Sequence, residues 1–250
     1  MSAFRVMAFV CVYNEADILP WTLKHLREQG CEIYVIDNGS TDGSAAIARD
    51  FGVEGLEQFP VEGISRWYSW IPLLRRVEVL AAECGATWAM HHDADEIRRP
   101  SVRGLTLRDA LMLADTRGYT AVDFEVFQFW PTDDLYRGDP ERHFPYYERP
   151  AVDSRLPHVK AWKHSGRVDL ASSGGHEARF RGRVVSPDKL VLKHYPLRTV
   201  EQARRKVLVD RVPRYDPAER AMNWHVQYDQ LARTKEWIRR PESLSLWAGV

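Results

Sequence analysis

The stretch His91-His92-Asp93-Ala94-Asp95-Glu96-Ile97 follows an apolar run, residues 87–90, and carries three carboxylates after its two histidines. The run predicts a buried strand, so the carboxylates follow at a rigid strand end. Asp93 and Asp95 are two residues apart, and such residues point to the same side of a strand. Mg²⁺ and Mn²⁺ prefer carboxylate oxygens and share their shell with phosphates. The stretch therefore predicts a metal held against a nucleotide diphosphate, with an acidic helix N-terminus as the alternative.

The composition is typical of a globular protein. The chain has 250 residues, of which 44% are hydrophobic and 28% charged. This length is enough for one large domain or two small ones with a real core. The formal net charge of zero predicts no general attraction to nucleic acid or to an anionic membrane.

The cysteines and the first residues bear on the cellular compartment. None of the three cysteines has C-x-x-C spacing, which argues against a disulfide framework or a zinc site and favours a reducing cytoplasm. Residues 4–12 are apolar but short, so they predict a first strand and not a signal peptide. No apolar run has the length of a membrane span. We expect a cytoplasmic protein, with peripheral contact at the inner membrane face left open.

The opening of the chain predicts alternating strands and helices. Residues 4–12 and 32–37 are strand-like apolar runs, and helix-like segments follow them at 18–29 and 44–51. This order is typical of a right-handed β-α-β start to an α/β sheet, whose ligands bind beyond the carboxyl ends of the strands. The polar residues expected at that edge are Asn14, Glu15, Asp37, Asp42, Asp93 and Asp95.

The first turn lacks the signatures of two common nucleotide sites. It contains neither G-x-G-x-x-G nor G-x-x-x-x-G-K-[ST], so a dinucleotide-binding Rossmann site and a P-loop are both disfavoured.

The remaining chain predicts further elements with less regularity. Helices are expected at 67–84 and 105–113, and strands at 121–129, 184–185 and 190–195. Residues 130–175 are irregular and rich in proline, which favours an acceptor-binding region or lid, with a variable surface loop as the alternative. Thr199 and Gln202 predict a capping box at the start of a helix. The tail from residue 217 has an amphipathic helical pattern.

Three segments, in order, resemble the signatures of family 2-like glycosyltransferases with the GT-A fold: residues 10–15, 35–44 and 93–96. Residues 174–177 and 192–198 are more loosely similar to a subgroup of these enzymes. The resemblance implies an α/β, GT-A-like nucleotide-diphospho-sugar transferase fold, with a mixed, mostly parallel sheet flanked by helices. We expect a catalytic domain over residues 1–198 and a helical C-terminal extension, residues 199–250, packed on it.

The resemblance implies a nucleotide-diphosphate sugar donor and a divalent cation, Mn²⁺ or Mg²⁺. The residues implied for the nucleoside pocket are Tyr13, Asn14, Glu15, Asp37, Ser40 and Asp42. Asp93 would face the ribose or the metal, and Asp95 would ligate the metal. His176 or His194 would complete the metal shell, with an ordinary hydrogen-bonded histidine as the alternative. Arg198 and Lys206 are candidates for phosphate contact, with a solvated helix face as the alternative for Lys206.

The catalytic base is the point where the chain departs from the resemblance. Many such enzymes carry an E-D pair downstream, whose Asp deprotonates the acceptor hydroxyl, and no such pair follows Asp95. Glu177, which follows two glycines, is the substitute candidate. Asp133 and Asp134 are its rivals.

The leading hypothesis is an inverting, metal-dependent glycosyltransferase; a retaining enzyme would need no separate base. Its donor would be UDP-, GDP- or dTDP-linked, and its acceptor a glycan, a lipid-linked sugar or a small molecule. A nucleotidyltransferase using the same acidic edge is one alternative, although residues 13–15 lack its glycine-rich, basic loop. A non-catalytic module that binds sugar nucleotides or glycans is another, because the E-D pair is missing.

Overall fold

The computed structural model of the protein describes residues 3–60, 66–149, 157–164 and 166–249. The strands, in chain order, are β1 (Val6–Val12), β2 (Glu32–Asp37), β3 (Gly55–Gln58), β4 (Trp88–Asp93), β5 (Glu96–Arg99), β6 (Ala121–Val122), β7 (Phe124–Phe129), β8 (Tyr146–Glu148), β9 (Ala161–Lys163), β10 (Leu190–His194) and β11 (Ser245–Leu246). The α-helices are α1 (Leu19–Glu28), α2 (Ser44–Phe51), α3 (Trp70–Glu83), α4 (Leu107–Thr116), α5 (Pro140–His143), α6 (Val200–Arg205), α7 (Pro217–Ala221) and α8 (Asp229–Thr234).

The central sheet of the described chain has the strand order β3-β2-β1-β4-β9-β6. Strands β3, β2, β1 and β4 are parallel, and β9 runs antiparallel to both of its neighbours. Every residue of β1 is buried, because one face packs against α1 and α4 and the other against α3. This cover on both faces explains the nearly continuous apolar run that predicted the strand.

A second sheet has the order β11-β8-β7-β10-β5, with β10 parallel to β7 and antiparallel to β5. The acidic stretch joins the two sheets. Asp93 ends β4 in register with Cys11, and Glu96 begins β5 in register with His194. The stretch is therefore anchored at both ends by strand pairing.

The predicted α/β class with mixed sheets flanked by helices is confirmed, and the first two strand–helix units lie close to their predicted positions. The prediction of one strand over 121–129 is wrong. Asp123 interrupts it, so β6 joins the central sheet and β7 the second sheet. Residues 184–185 form only a single bridge, from Val185 to Ala121. Short strands such as β3 and β9 were missed, because three or four residues carry too little periodicity.

The irregular region and the tail differ from the sequence prediction in detail. Residues 130–175 contain α5, β8 and β9, while 150–156 and 165 lie outside the described residues. The tail forms short helices and turns and the strand β11. Among the described helices, none is long and apolar enough to cross a membrane.

The helix after Thr199 changes its winding. Helix α6 continues directly as a π-helical turn, Lys206–Arg211, and then as a 3₁₀ turn, Val212–Arg214. The Thr199 hydroxyl accepts from the Gln202 backbone amide at 3.1 Å, but the Gln202 side chain accepts from the Arg198 amide. The capping is therefore one-sided and not the predicted reciprocal box.

The segment after residue 199 packs onto the carboxyl end of the central sheet. A buried cluster joins Tyr13 and Tyr68 to Val207, Tyr215 and Leu231. The apolar contact fixes this segment beside the strand ends. The division into a domain and an extension at residue 198 stays a prediction.

Glu141 ties α5 to the second sheet. Its carboxylate accepts hydrogen bonds from Arg99 Nε at 2.9 Å and Lys193 Nζ at 2.6 Å. Burial alone would raise the pKa of Glu141, but the bonds from Arg99 and Lys193 outweigh burial and lower this pKa to about 2.

We expect Glu141→Gln to lower the free energy of unfolding by about 3 kcal/mol at pH 7. The folded pKa lies below the unfolded value, so the stabilisation is present above the unfolded pKa and is lost as the pH falls through the folded one. The difference from wild type should shrink to roughly half near pH 3. Urea unfolding, followed by circular dichroism between pH 7 and pH 3, measures this difference in the free energy of unfolding. Exposed Glu201, as Glu201→Gln, is the control; a pH-independent difference for Glu141→Gln would contradict the prediction.

Candidate active site

A cavity of about 560 Å³ opens at the carboxyl ends of β1 and β4. This volume lies in the range usual for small-ligand sites. Its wall includes the ends of the central strands, the second sheet at His194, and the C-terminal segment at Lys206 and Arg211. Residues near the start of α3, near the start of β9 and around His176 complete it. The cavity therefore depends on contacts between segments that are far apart in sequence.

Lys160 neutralises the first acid of the Asp-Ala-Asp stretch. Its Nζ lies 2.7 Å from Asp93 Oδ2 and 2.8 Å from Glu96 Oε1. Lys160 is buried just before β9, which pairs with β4 and so brings the lysine beside the strand end. Burial alone would lower the pKa of Lys160, but Asp93 and Glu96 raise it, so the ammonium stays charged.

Lys206 neutralises Asp95, the second acid of the Asp-Ala-Asp stretch. Its Nζ lies 2.6 Å from Glu15 Oε1 and 2.7 Å from Asp95 Oδ2. Burial alone would raise the pKa of Asp95, but Lys206 and His194 outweigh it and hold this pKa well below its usual value. The other oxygen of Glu15 accepts from Arg198, which also donates to Asp17 Oδ2 at 2.7 Å.

The turns after β1 and β2 lock together through side chains. Asn14, whose φ of 55° lies in the left-handed region, donates its backbone amide to Ser40 Oγ and accepts from the Thr41 amide at 2.8 Å. Asp42 accepts from the Ala16 amide at 3.0 Å. These bonds hold the two strand ends in one rigid edge.

Asp37 closes the same edge with one oxygen still free. Its Oδ2 accepts from the backbone amides of Gly39 and Ser40, whereas the buried Oδ1 has no partner among the described residues. This oxygen is one of the few buried acceptors of the described chain that lack a partner.

The structure divides the predicted site residues into two groups. Those that line the cavity are Tyr13, Glu15, Asp93, Asp95, His176, His194 and Lys206. Those that do not are Asn14, Asp37, Ser40, Asp42, Asp134, Glu177 and Arg198. Asn14, Ser40 and Asp42 shape the edge from behind. Arg198 is fully buried and paired with Glu15 and Asp17, so it is occupied by acids and does not face a phosphate.

The residues predicted as the catalytic base, Glu177, Asp133 and Asp134, do not line the cavity. Glu177 is paired with Arg179 at 2.9 Å and Arg183 at 2.6 Å. Burial would raise its pKa, but these arginines lower it, which makes the carboxylate a weak proton acceptor. Asp134 accepts from the Val200 amide at the start of α6, and Asp133 from the Leu135 amide.

The side chains do not fit the divalent cation that the resemblance implies. In the described ranges, no group of three or more potential protein ligands is placed to hold a metal ion. Lys160 Nζ lies 2.7 Å from Asp93 Oδ2 and Lys206 Nζ lies 2.7 Å from Asp95 Oδ2, so a cation on these acids would bind beside two ammonium groups that repel it. The acids already have their counter-charges.

Sequence reasoning missed Lys160 and Arg211. Lys160 belongs to the irregular region and carries no motif, and Arg211 belongs to a segment whose pattern suggested an ordinary helix. Lys206 was a candidate, but its burial between two carboxylates was not foreseen.

A mostly parallel sheet with a cavity at the carboxyl ends of its strands, lined by charged and apolar residues, is typical of an α/β ligand-binding protein. Residues 7–60, which contain β2, β3 and most of β1, match the family model described as Glycosyl transferase family 2. This match confirms the predicted resemblance to family 2-like glycosyltransferases, agrees with the GT-A fold, and supports glycosyltransferase activity in general. A comparison with curated proteins gives no significant match.

We expect Lys206→Met to lower the free energy of unfolding by about 3–5 kcal/mol, because Glu15 and Asp95 would stay buried without their shared counter-charge. Adding Asp95→Asn should recover part of that loss, since one uncompensated charge is removed. Urea unfolding of the single and double variants measures both effects. Arg204→Met, at an exposed position of α6, is the control and should stay near wild type. Additive losses in the double variant would contradict the pairing.

Proposed function

We propose that the protein transfers a sugar from a nucleotide-diphosphate donor to an acceptor hydroxyl inside the cavity at the strand ends. The observation that carries this proposal is the position of the cavity. It opens at the end of β1, within the segment that matches the glycosyltransferase family.

The proposed reaction is an in-line displacement. The acceptor oxygen forms a bond to the anomeric carbon, and the bond from this carbon to the diphosphate oxygen breaks. The electron pair leaves with the nucleoside diphosphate, and the hydroxyl proton passes to a base in the cavity. Inversion at the anomeric carbon follows from this geometry and is part of the proposal.

His176 is the proposed base. His158 and His176 both line the cavity, with ring centroids 5.2 Å apart. Burial and the nearby Lys160 lower the pKa of both imidazoles, that of His158 to about 4. Both rings are therefore neutral at pH 7 and able to accept a proton. We assign the role to His176, because this residue is exposed, whereas His158 is half-buried.

A panel of UDP-, GDP- and dTDP-sugars tests the function. A donor at one hundred times its Kd should add about 2.7 kcal/mol of apparent stability, which a thermal shift detects. Each measurement is made with EDTA and with Mn²⁺. The selected donor is then incubated with glycan, lipid-linked and small-molecule acceptors, and products are identified by mass spectrometry. Donor binding without any transfer would favour the binding-module alternative, and no binding would contradict the proposal.

His176→Ala and Glu177→Gln form a matched pair of neighbouring substitutions. We expect His176→Ala to lower kcat about 100-fold or more, because the base is lost. Glu177→Gln should keep kcat within about threefold, since Glu177 lies outside the cavity wall and pairs with arginines. Release of nucleoside diphosphate measures both rates. The reverse order of effects would return the role of base to Glu177.

A further inference from the structure

The cavity wall contains buried hydrogen-bond donors that no protein group satisfies. Among the described buried side-chain atoms without a partner, those on residues lining the cavity are Arg211 Nη1, the Tyr215 hydroxyl and Trp130 Nε1. All three can donate, and leaving a buried donor unpaired costs about 1–3 kcal/mol. A ligand that brings acceptor oxygens to this part of the wall would give these donors the partners that they lack.

Arg211 is the charged member of this set. Only 9% of the residue is exposed, and its guanidinium carbon lies 4.0 Å from the ring centroid of Tyr68 and 5.1 Å from that of Tyr13. The two aromatic rings hold the guanidinium in place without neutralising it. No carboxylate of the described residues forms an ion pair with Arg211. A buried, unpaired guanidinium attracts an anion strongly.

Lys160 and Lys206 are less suited than Arg211 to binding an anionic ligand. Lys160 is shared between Asp93 and Glu96, and Lys206 between Glu15 and Asp95. Each lysine charge is thus already balanced by carboxylates. Arg211 is the cation of the described cavity wall whose charge is left for the ligand.

The π-helical turn explains how both Lys206 and Arg211 reach the cavity. In an α-helix, residues five apart differ by about 140° around the axis, so they face different sides. The i→i+5 bonding of a π-helix winds more widely and brings such residues closer to one face. Both residues begin or end this turn, and both line the cavity.

We propose that Arg211 binds the diphosphate of the donor and remains bound to the nucleoside diphosphate as it leaves. Arg211 thereby takes the phosphate-binding role that the resemblance to glycosyltransferases assigns to a divalent metal ion on Asp93 and Asp95. The planar guanidinium matches two phosphate oxygens at once, and the tyrosine rings preorganise it. As the bond to the anomeric carbon breaks, the charge that builds on the diphosphate meets a fixed positive charge. This inference rests on the proposed glycosyltransferase function and adds the group that stabilises its leaving group.

Calorimetry in EDTA tests the assignment with UDP, GDP and dTDP, and with the corresponding nucleosides. The wild type is expected to bind the matching diphosphate without a metal. Arg211→Met should weaken that binding about 100-fold and leave nucleoside affinity unchanged, because only the phosphate contact is removed. Arg211→Lys keeps a point charge and should lose about tenfold. Arg204→Met, on the exposed side of α6, is the control and should bind as wild type does.

The outcomes separate the two proposals. Arg211→Met binding the diphosphate as tightly as wild type would overturn the role of Arg211 and leave the glycosyltransferase proposal standing. Diphosphate binding that disappears in EDTA and returns with Mn²⁺ would likewise overturn the role of Arg211, because a metal ion would then hold the diphosphate. No nucleotide binding under any condition would overturn the proposed function and, with it, this assignment. Thermal melts confirm folding, and if Arg211→Met does not fold, unchanged affinity in Arg211→Lys overturns the proposal.

Discussion

A chain of ion pairs, buried except at Asp17, holds the site together. It runs from Asp17 through Arg198, Glu15 and Lys206 to Asp95. It joins the end of β1, the turn after β4 and the C-terminal segment, which are far apart in sequence. Buried charges are costly unless each has a partner, so this chain tolerates only one arrangement of the three segments. The position of the cavity wall follows from it.

The same ion pairs decide the chemistry that the cavity offers. Because Lys160 and Lys206 already balance the acids at the strand ends, the Asp-Ala-Asp stretch acts as an anchor for lysines and not as an open cation site. The positive charge left for a ligand then lies on Arg211, which packs against the rings of Tyr13 and Tyr68. This distribution of charge suits a diphosphate as the ligand and a neutral imidazole, such as that of His176, as the base.

The fold was predictable where local pattern and burial agree. Strand β1 is covered on both faces, so its apolar run is continuous, and the polar residues that follow mark its end. The division of residues 121–129 between two sheets was not predictable, because it depends on which distant strand each half pairs with. The same holds for the short strand β9, whose pairing with β4 places Lys160 beside Asp93.

The sequence by itself determined the α/β class, the order of the first strands and helices, and the gathering of polar residues at one sheet edge. These properties follow from periodicity and from the geometry of parallel strands, which are local. Only the tertiary structure decided which of those residues face the ligand. Glu177 and Asp134 are held by partners outside the cavity wall, and Arg198 is held behind it by Glu15 and Asp17. Lys160 and Arg211, in contrast, reach the wall. The orientation of a charged side chain depends on counter-charges distant in sequence, and no local pattern records them.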